Sequence, residues 1–181
     1  TEVSDYRRQK ALRCPDDEKC RCSLGAELLL YRALGAPVEY ALGDNGKPYI
    51  ENNSINISIT HTEKYVAVIL DEDKEVGIDC ESLDRDFSAV EKKALSEDEI
   101  DDLDDDRKNE QLAIYWCAKE AIYKLTSHYG VDFAEQIEVD SFRFHDEGDL
   151  TATFTDDDGY EHDLELSYMT FDRHLLVWVR E

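Results

Sequence analysis

The sequence predicts an α+β fold of antiparallel strands with a helix in each of two similar halves. Three observations carry that expectation. Apolar and polar residues alternate strictly in Ile55-Asn56-Ile57-Ser58-Ile59-Thr60, the period of a strand with one buried face. Turn residues, first Asn45-Gly46 and later Gly148 and Gly159, punctuate short apolar runs, as hairpins require. A helical pattern followed by strand patterns occurs twice, before and after about Asp73, which suits paired halves although there is no exact repeat.

The first helix is expected over residues 15–34. It opens with Pro15, Asp16, Asp17 and Glu18 and closes with Arg32 ahead of Gly35, matching the charge and proline preferences of helix ends. Tyr40-Ala41-Leu42 and Lys47-Pro48-Tyr49-Ile50 flank Asn45-Gly46 as a hairpin, and the proline confines its strand to an edge. In the alternating segment the three isoleucines face a core, while Asn56, Ser58 and Thr60 face the other way. Residues 65–70 are the expected partner strand, and an acidic turn at 71–74 leads into another strand over 75–81. Ser88-x-x-Glu91 and Ser96-x-x-Glu99 are capping boxes, each predicting a short helix. A longer helix is expected over 109–127, with Leu112, Tyr115, Cys117, Ala118, Ile122 and Leu125 on or beside its buried face. Strand patterns then follow at 137–139, 142–144, 150–154, 164–169 and 174–179.

Composition narrows the function classes. At 181 residues the chain can bury a substantial core. Forty-four acidic residues against 20 basic ones give a formal net charge of −24, a field that repels nucleic acid and anionic membranes. No apolar run approaches the ~20 residues of a spanning helix. The acidic runs at 101–106 and 156–158 lack the alternating ligands of a calcium loop and are expected as solvated turns. Five cysteines without a Cys-x-x-Cys pair suit a reducing cytoplasm. The start at Thr1, with neither methionine nor a secretory pattern, gives the expectation of a trimmed N-terminus. His128, His145, His162 and His174 are expected to have no catalytic duty.

Two segments carry potential chemistry. In Val76-Gly77-Ile78-Asp79-Cys80-Glu81 the strand period sends Asp79 and Glu81 to one face. Adjacent carboxylates repel unless a cation joins them, although in so acidic a chain solvated pairs are common. In Tyr115-Trp116-Cys117-Ala118-Lys119-Glu120-Ala121-Ile122-Tyr123-Lys124, the residues Trp116, Glu120 and Lys124 share one helical face. Taken alone, the plain alternative of an i,i+4 salt bridge is as good a reading there.

Together, the strand motif and the Trp-x-x-Lys-Glu-Ala-x-x-x-Lys helix about forty residues later resemble the paired signatures of 4'-phosphopantetheinyl transferases. Upstream, Gly46-Lys47-Pro48 and Ile57-Ser58-Ile59-Thr60-His61-Thr62 resemble two further segments of that family, so four motifs in order cover residues 46–124. The 78 residues ahead of Asp79 resemble the Sfp-like type, a monomeric pseudo-dimer with its site between the halves, rather than the small trimeric synthases. The sequence departs from the family at Thr60 and Thr62, where serines are usual, at Glu63 for glycine and at Ile57 for phenylalanine.

The resemblance implies transfer of phosphopantetheine from coenzyme A to a serine of an apo acyl or peptidyl carrier protein, with Mg²⁺, or Mn²⁺ in its place. It implies Asp79, Glu81 and Glu120 as metal ligands, and Glu99 and Lys124 as catalytic residues, Glu99 as general base. Arg21, Lys47, Pro48, Thr60, His61 and Lys119 are implied as coenzyme A contacts, with Arg7, Arg8 or Lys10 adding to phosphate binding. Residues 1–73 would form the coenzyme-binding half and 74–181 the metal-binding half. Two other classes remain open at this point: a metal-dependent phosphodiesterase or nuclease, against which the net charge argues, and a non-catalytic binder of coenzyme A or a carrier protein.

Overall fold

Two antiparallel sheets meet along a seam made from the alternation at residues 55–60. The computed structural model describes residues 4–13, 18–51, 53–128 and 130–181, without the side chains at 7, 10, 11 and 19. Helices α1 (Asp5–Arg13) and α2 (Glu18–Leu34) precede a first sheet of β1 (Tyr40–Leu42), β2 (Pro48–Ile50), β3 (Asn56–His61) and β4 (Val66–Asp71), in that spatial order. Strand β5 (Val76–Ser82), helices α3 (Ser88–Ala94) and α4 (Glu97–Asp101), a 3₁₀ turn at Asp105–Arg107, and helices α5 (Lys108–Thr126) and α6 (Phe133–Gln136) follow. The second sheet adds β6 (Ile137–Val139), β7 (Glu147–Thr155), β8 (Glu161–Phe171) and β9 (His174–Arg180), ordered β5-β9-β8-β7-β6. The α+β class therefore holds, with one long helix and one antiparallel sheet in each half.

The polar face of β3 joins the halves. Asn56 Nδ2 donates to the Lys74 carbonyl at 3.0 Å, Ser58 Oγ accepts from Ile78 N at 3.3 Å, and Thr60 Oγ1 accepts from Cys80 N at 3.1 Å. Side chains thus satisfy backbone groups that a neighbouring strand would otherwise take up, and Ser58 and Thr60 are buried by it. On the opposite face Ile57 packs with Leu30 of α2 and Ile50 of β2 in a small core. The second half holds the larger core, in which Leu112, Ile114, Ile122, Leu166 and Leu175 are among the fully buried side chains. Each such side chain contributes ~1.5–3 kcal/mol by leaving water, so the first half, with fewer of them, leans on the seam.

Several local expectations change. Ser88 does not cap α3: Phe87 holds that position, and Asp86 Oδ1 and Asn109 Oδ1 accept the orphan N–H groups of Ser88 and Phe87. The Ser96 box forms as expected. The segment at 142–144 is not a strand. Phe142 and Phe144 pack irregularly on the core, with Arg107 stacked 4.2 Å from the Phe144 ring and the Phe142 carbonyl accepting from Gln111. Gly148 lies within β7 rather than at a turn, because the Tyr168 ring fills the space a Cβ would need, at 3.0 Å. Helices α1 and α6 were not expected, and residues 15–17 of the expected first helix lie outside the described residues. Among the described residues no helix is long and apolar enough to cross a membrane.

Candidate active site

Helix α5 crosses β5 almost backbone to backbone. A Cβ on Gly77 would stand 1.9 Å from the Ala121 carbonyl oxygen and 3.0 Å from Leu125 N, so only glycine permits the approach. Gly77→Ala is expected to cost about 3 kcal/mol, because the obstacle is backbone and α5 must lift away. Urea unfolding measures that loss, and a variant as stable as the parent would mean the crossing relaxes freely.

The crossing sets one face of α5 against one face of β5. Trp116 Nε1 donates to Glu81 Oε1 at 3.2 Å, and Arg85 pairs with the same oxygen at 2.6 Å. Lys124 Nζ donates to Asp79 Oδ1 at 2.6 Å and to the Ile78 carbonyl at 3.0 Å. From the seam, Thr60 Oγ1 donates to Asp79 Oδ1 at 3.1 Å. Glu120 lies one helical turn from both Trp116 and Lys124. Its carboxyl is pushed up to about 7, first by burial and then by the charge of Asp79, with Glu81 adding and Lys124 and Arg85 opposing.

Asp79 Oδ2 is buried without a hydrogen-bond partner. The neighbouring Cys117 thiol, itself held well above its ordinary pKa by burial and by the Asp79 and Glu81 charges, is a weak donor and leaves that oxygen unsatisfied. An orphaned carboxylate oxygen beside a carboxyl that resists ionisation is a donor chemistry that suits a hard cation. The donor set fits on one condition. Among the described residues, the one trio of such ligand atoms within 4.8 Å of one another is Glu18, Cys22 and His61, so Asp79, Glu81 and Glu120 stand wider apart and Glu81 must exchange Arg85 and Trp116 for the ion.

A cavity of about 260 Å³ lies between the halves, walled by Lys47, Pro48, Ser58 and Ile59 on one side and by Tyr123 and Lys124 on the other. A second, of about 580 Å³, shares Lys47 with it and extends to Leu125, His128, Phe154 and His162. Lys47 bridges the halves here, pairing with Glu75 and donating to the Leu125 carbonyl at 3.0 Å. His61 is exposed at the end of β3 near Glu18 and Cys22, and Arg21 is exposed on α2. Arg8 is exposed on α1, while the side chains of Arg7 and Lys10 lie outside the described residues.

Two of the expected site residues face the interior. Lys119, expected among the coenzyme contacts, is fully buried and gives its three protons to Glu99 Oε2 (2.7 Å) and to the carbonyls of Phe133 (2.8 Å) and Ile137 (2.6 Å). Glu99, expected as a base, is 2% exposed and also accepts from Ser96 N at 2.9 Å and Val139 N at 2.8 Å. Neither offers an atom to a solvent-borne substrate in this conformation. The sequence reading also missed that Arg85 and Trp116 hold Glu81, for which the i,i+4 spacing of Glu81 and Arg85 was the available signal.

Residues 75–176, more than half of the chain, match the family model of the 4'-phosphopantetheinyl transferase superfamily. The chain belongs to that superfamily. The match begins just ahead of Gly77 and spans Asp79, Glu81, Glu120 and Lys124, and phosphopantetheinyl transfer is the class of chemistry of that superfamily. No curated protein matches the chain significantly.

Proposed function

We propose that this chain is an Sfp-like holo-[acyl-carrier-protein] synthase that moves 4'-phosphopantetheine from coenzyme A to a serine of an apo acyl or peptidyl carrier protein. The observation that carries the proposal is the cleft between the halves, with Lys47 and Lys124 on its walls and Lys124 tied to the Asp79 carboxylate at 2.6 Å. Residues 1–73 would hold the nucleotide and 74–181 the reacting diphosphate. Lys47 and Pro48 would line the adenine end, and Arg21, Thr60 and His61 the phosphate path, with Lys124 at the diphosphate. A cytoplasmic monomer suits this reading.

In the reaction the serine oxygen forms a bond to the β-phosphorus of coenzyme A, the bond to the bridging oxygen breaks, and adenosine 3',5'-bisphosphate leaves with that electron pair. The serine proton passes to a base or to water. Held by Asp79, Glu81 and Glu120, a hard divalent cation such as Mg²⁺ (or Mn²⁺) would supply charge neutralisation at the diphosphate. Lys124 would place its ammonium where charge grows on the leaving phosphate. The Asp79–Lys124 and Thr60–Asp79 bonds keep that constellation aligned before substrate arrives. The net charge of −24 is no barrier, because repulsion beyond ~8 Å is screened at physiological salt and local cations decide.

Incubation with an apo carrier, coenzyme A and Mg²⁺ tests the proposal by intact mass. The carrier should gain one phosphopantetheine group, and no gain across a panel of fatty-acid, polyketide and peptide carriers would overturn it. A pH dependence follows from Glu120. With its carboxyl protonated up to about 7, a proton competes with the cation on the acid side. Apparent Mg²⁺ affinity should therefore weaken roughly tenfold between about pH 8 and about pH 6, by calorimetry, and Glu120→Gln should flatten the dependence. The same shift makes the metal-free fold less stable as pH rises from the ordinary carboxyl value through about 7, since the folded state favours the proton.

A further inference from the structure

We propose that Glu18, Cys22 and His61 form a site for a borderline-soft divalent cation, Zn²⁺ in the first place, separate from the carboxylate trio; when filled, this site would withdraw His61 from the phosphate path. Glu18 and Cys22 are four residues apart on α2, so their side chains lie one above the other on one helical face. His61 is the last residue of β3. Helix α2 is held against this sheet by close contact, since the space beside Gly25 is filled by Val66 at 3.2 Å from a would-be Cβ. The packing brings a carboxylate oxygen, a thiol sulfur and an imidazole nitrogen within 4.8 Å of one another.

These distances suit a shared ion. Zinc bonds of ~2.0–2.3 Å in tetrahedral geometry space their ligands by roughly 3.5 Å, so closure needs movement on the order of 1 Å. Glu18 and His61 are exposed and Cys22 is buried beneath them, which leaves the outer side open for entry and for a water as fourth ligand. The ligand types set the selectivity. A thiolate with an imidazole favours Zn²⁺ over Mg²⁺ or Ca²⁺, whereas three carboxylates favour the hard ions. Burial first and Glu18 second push the Cys22 thiol up, with Arg21 opposing. Without metal the sulfur therefore keeps its proton, and the ion takes the proton's place on binding. The bond so formed would clamp the first described turn of α2 to the end of β3.

Co²⁺ serves as the spectroscopic probe, because a thiolate bound to Co²⁺ gives a near-ultraviolet charge-transfer band that oxygen and nitrogen ligands do not. Titration of the full chain in excess Mg²⁺ should develop that band, saturating at a single Co²⁺ per chain, and Zn²⁺ should abolish it by displacement. Cys22→Ser should remove the band. Glu18→Gln and His61→Gln, at exposed positions that do not threaten folding, should each weaken Co²⁺ binding at least roughly tenfold, or ~1.4 kcal/mol. Asp79→Ala should leave the band unchanged, which separates this site from the transfer site: a parent protein that develops the band yet transfers nothing to any carrier would count against the proposed function alone. Absence of the band in the parent protein, its persistence in Cys22→Ser, or its loss in Asp79→Ala would overturn the assignment.

Discussion

Lys119→Met should lower the unfolding free energy by about 3–5 kcal/mol, a large part of the ~5–15 kcal/mol that holds a domain of ordinary stability together. Methionine fills the volume of the lysine stem, so the loss is electrostatic rather than a cavity. Removing the ammonium leaves the Glu99 carboxylate at 2% exposure without its cation, and it strips the Phe133 and Ile137 carbonyls of their donor. Four elements are tied by this one pair, since Glu99 caps α4 and accepts from β6 while Lys119 leaves α5 and reaches the ends of α6. Lys119→Met combined with Glu99→Gln should be more stable than Lys119→Met alone, because the second change removes the stranded charge. Urea unfolding of the four forms measures the coupling, and a single variant within about 1 kcal/mol of the parent would refute it. Glu99→Gln also weighs the anchoring role against the implied base: turnover per folded molecule should survive, whereas a drop on the order of 10²- to 10⁴-fold would restore Glu99 as the proton acceptor.

The same pair shows what the sequence could and could not disclose. Lys119 falls on the stripe of Leu112, Tyr115 and Ile122, at helical spacing, so its burial was legible from period alone. Its identity as a lysine, beside a glutamate in a known motif, drew attention to chemistry instead. Strand β3 was legible to within one residue at each end, and its polar face was separated from the isoleucines. That this face would be buried against β5 was not, because the seam depends on residues about twenty positions away. The face of Trp116, Glu120 and Lys124 was set by helical period, but which β5 residue each would meet depends on the crossing at Gly77, a tertiary contact with Ala121. Phe142 and Phe144 alternate like a strand, yet Gln111 and Arg107 engage them locally and no ladder forms. The nearness of His61 to Glu18 and Cys22 has no signal in one sequence beyond the i,i+4 spacing of the latter two.

Asp79→Ala should abolish transfer while the protein stays folded. If the cation supplies several kcal/mol of transition-state stabilisation, the rate should fall by about 10³-fold or more at 1.36 kcal/mol per factor of ten. Folding should survive because Asp79 is a source of strain as well as of bonds. Its Oδ2 is buried without a partner, and its charge is the largest electrostatic reason that Glu120 titrates at about 7. Without it Glu120 should ionise more readily, and Lys124 keeps the Ile78 carbonyl. Thermal melting should therefore move little, while calorimetry should show Mg²⁺ binding lost together with mass gain on the carrier. Asp79→Asn makes the argument sharper, since it preserves acceptors for Thr60 and Lys124 but removes the charge: it should be as inactive as the alanine variant if the carboxylate binds a cation, and close to the parent if Asp79 only positions Lys124. A near-normal rate in both variants would remove Asp79 from the chemistry.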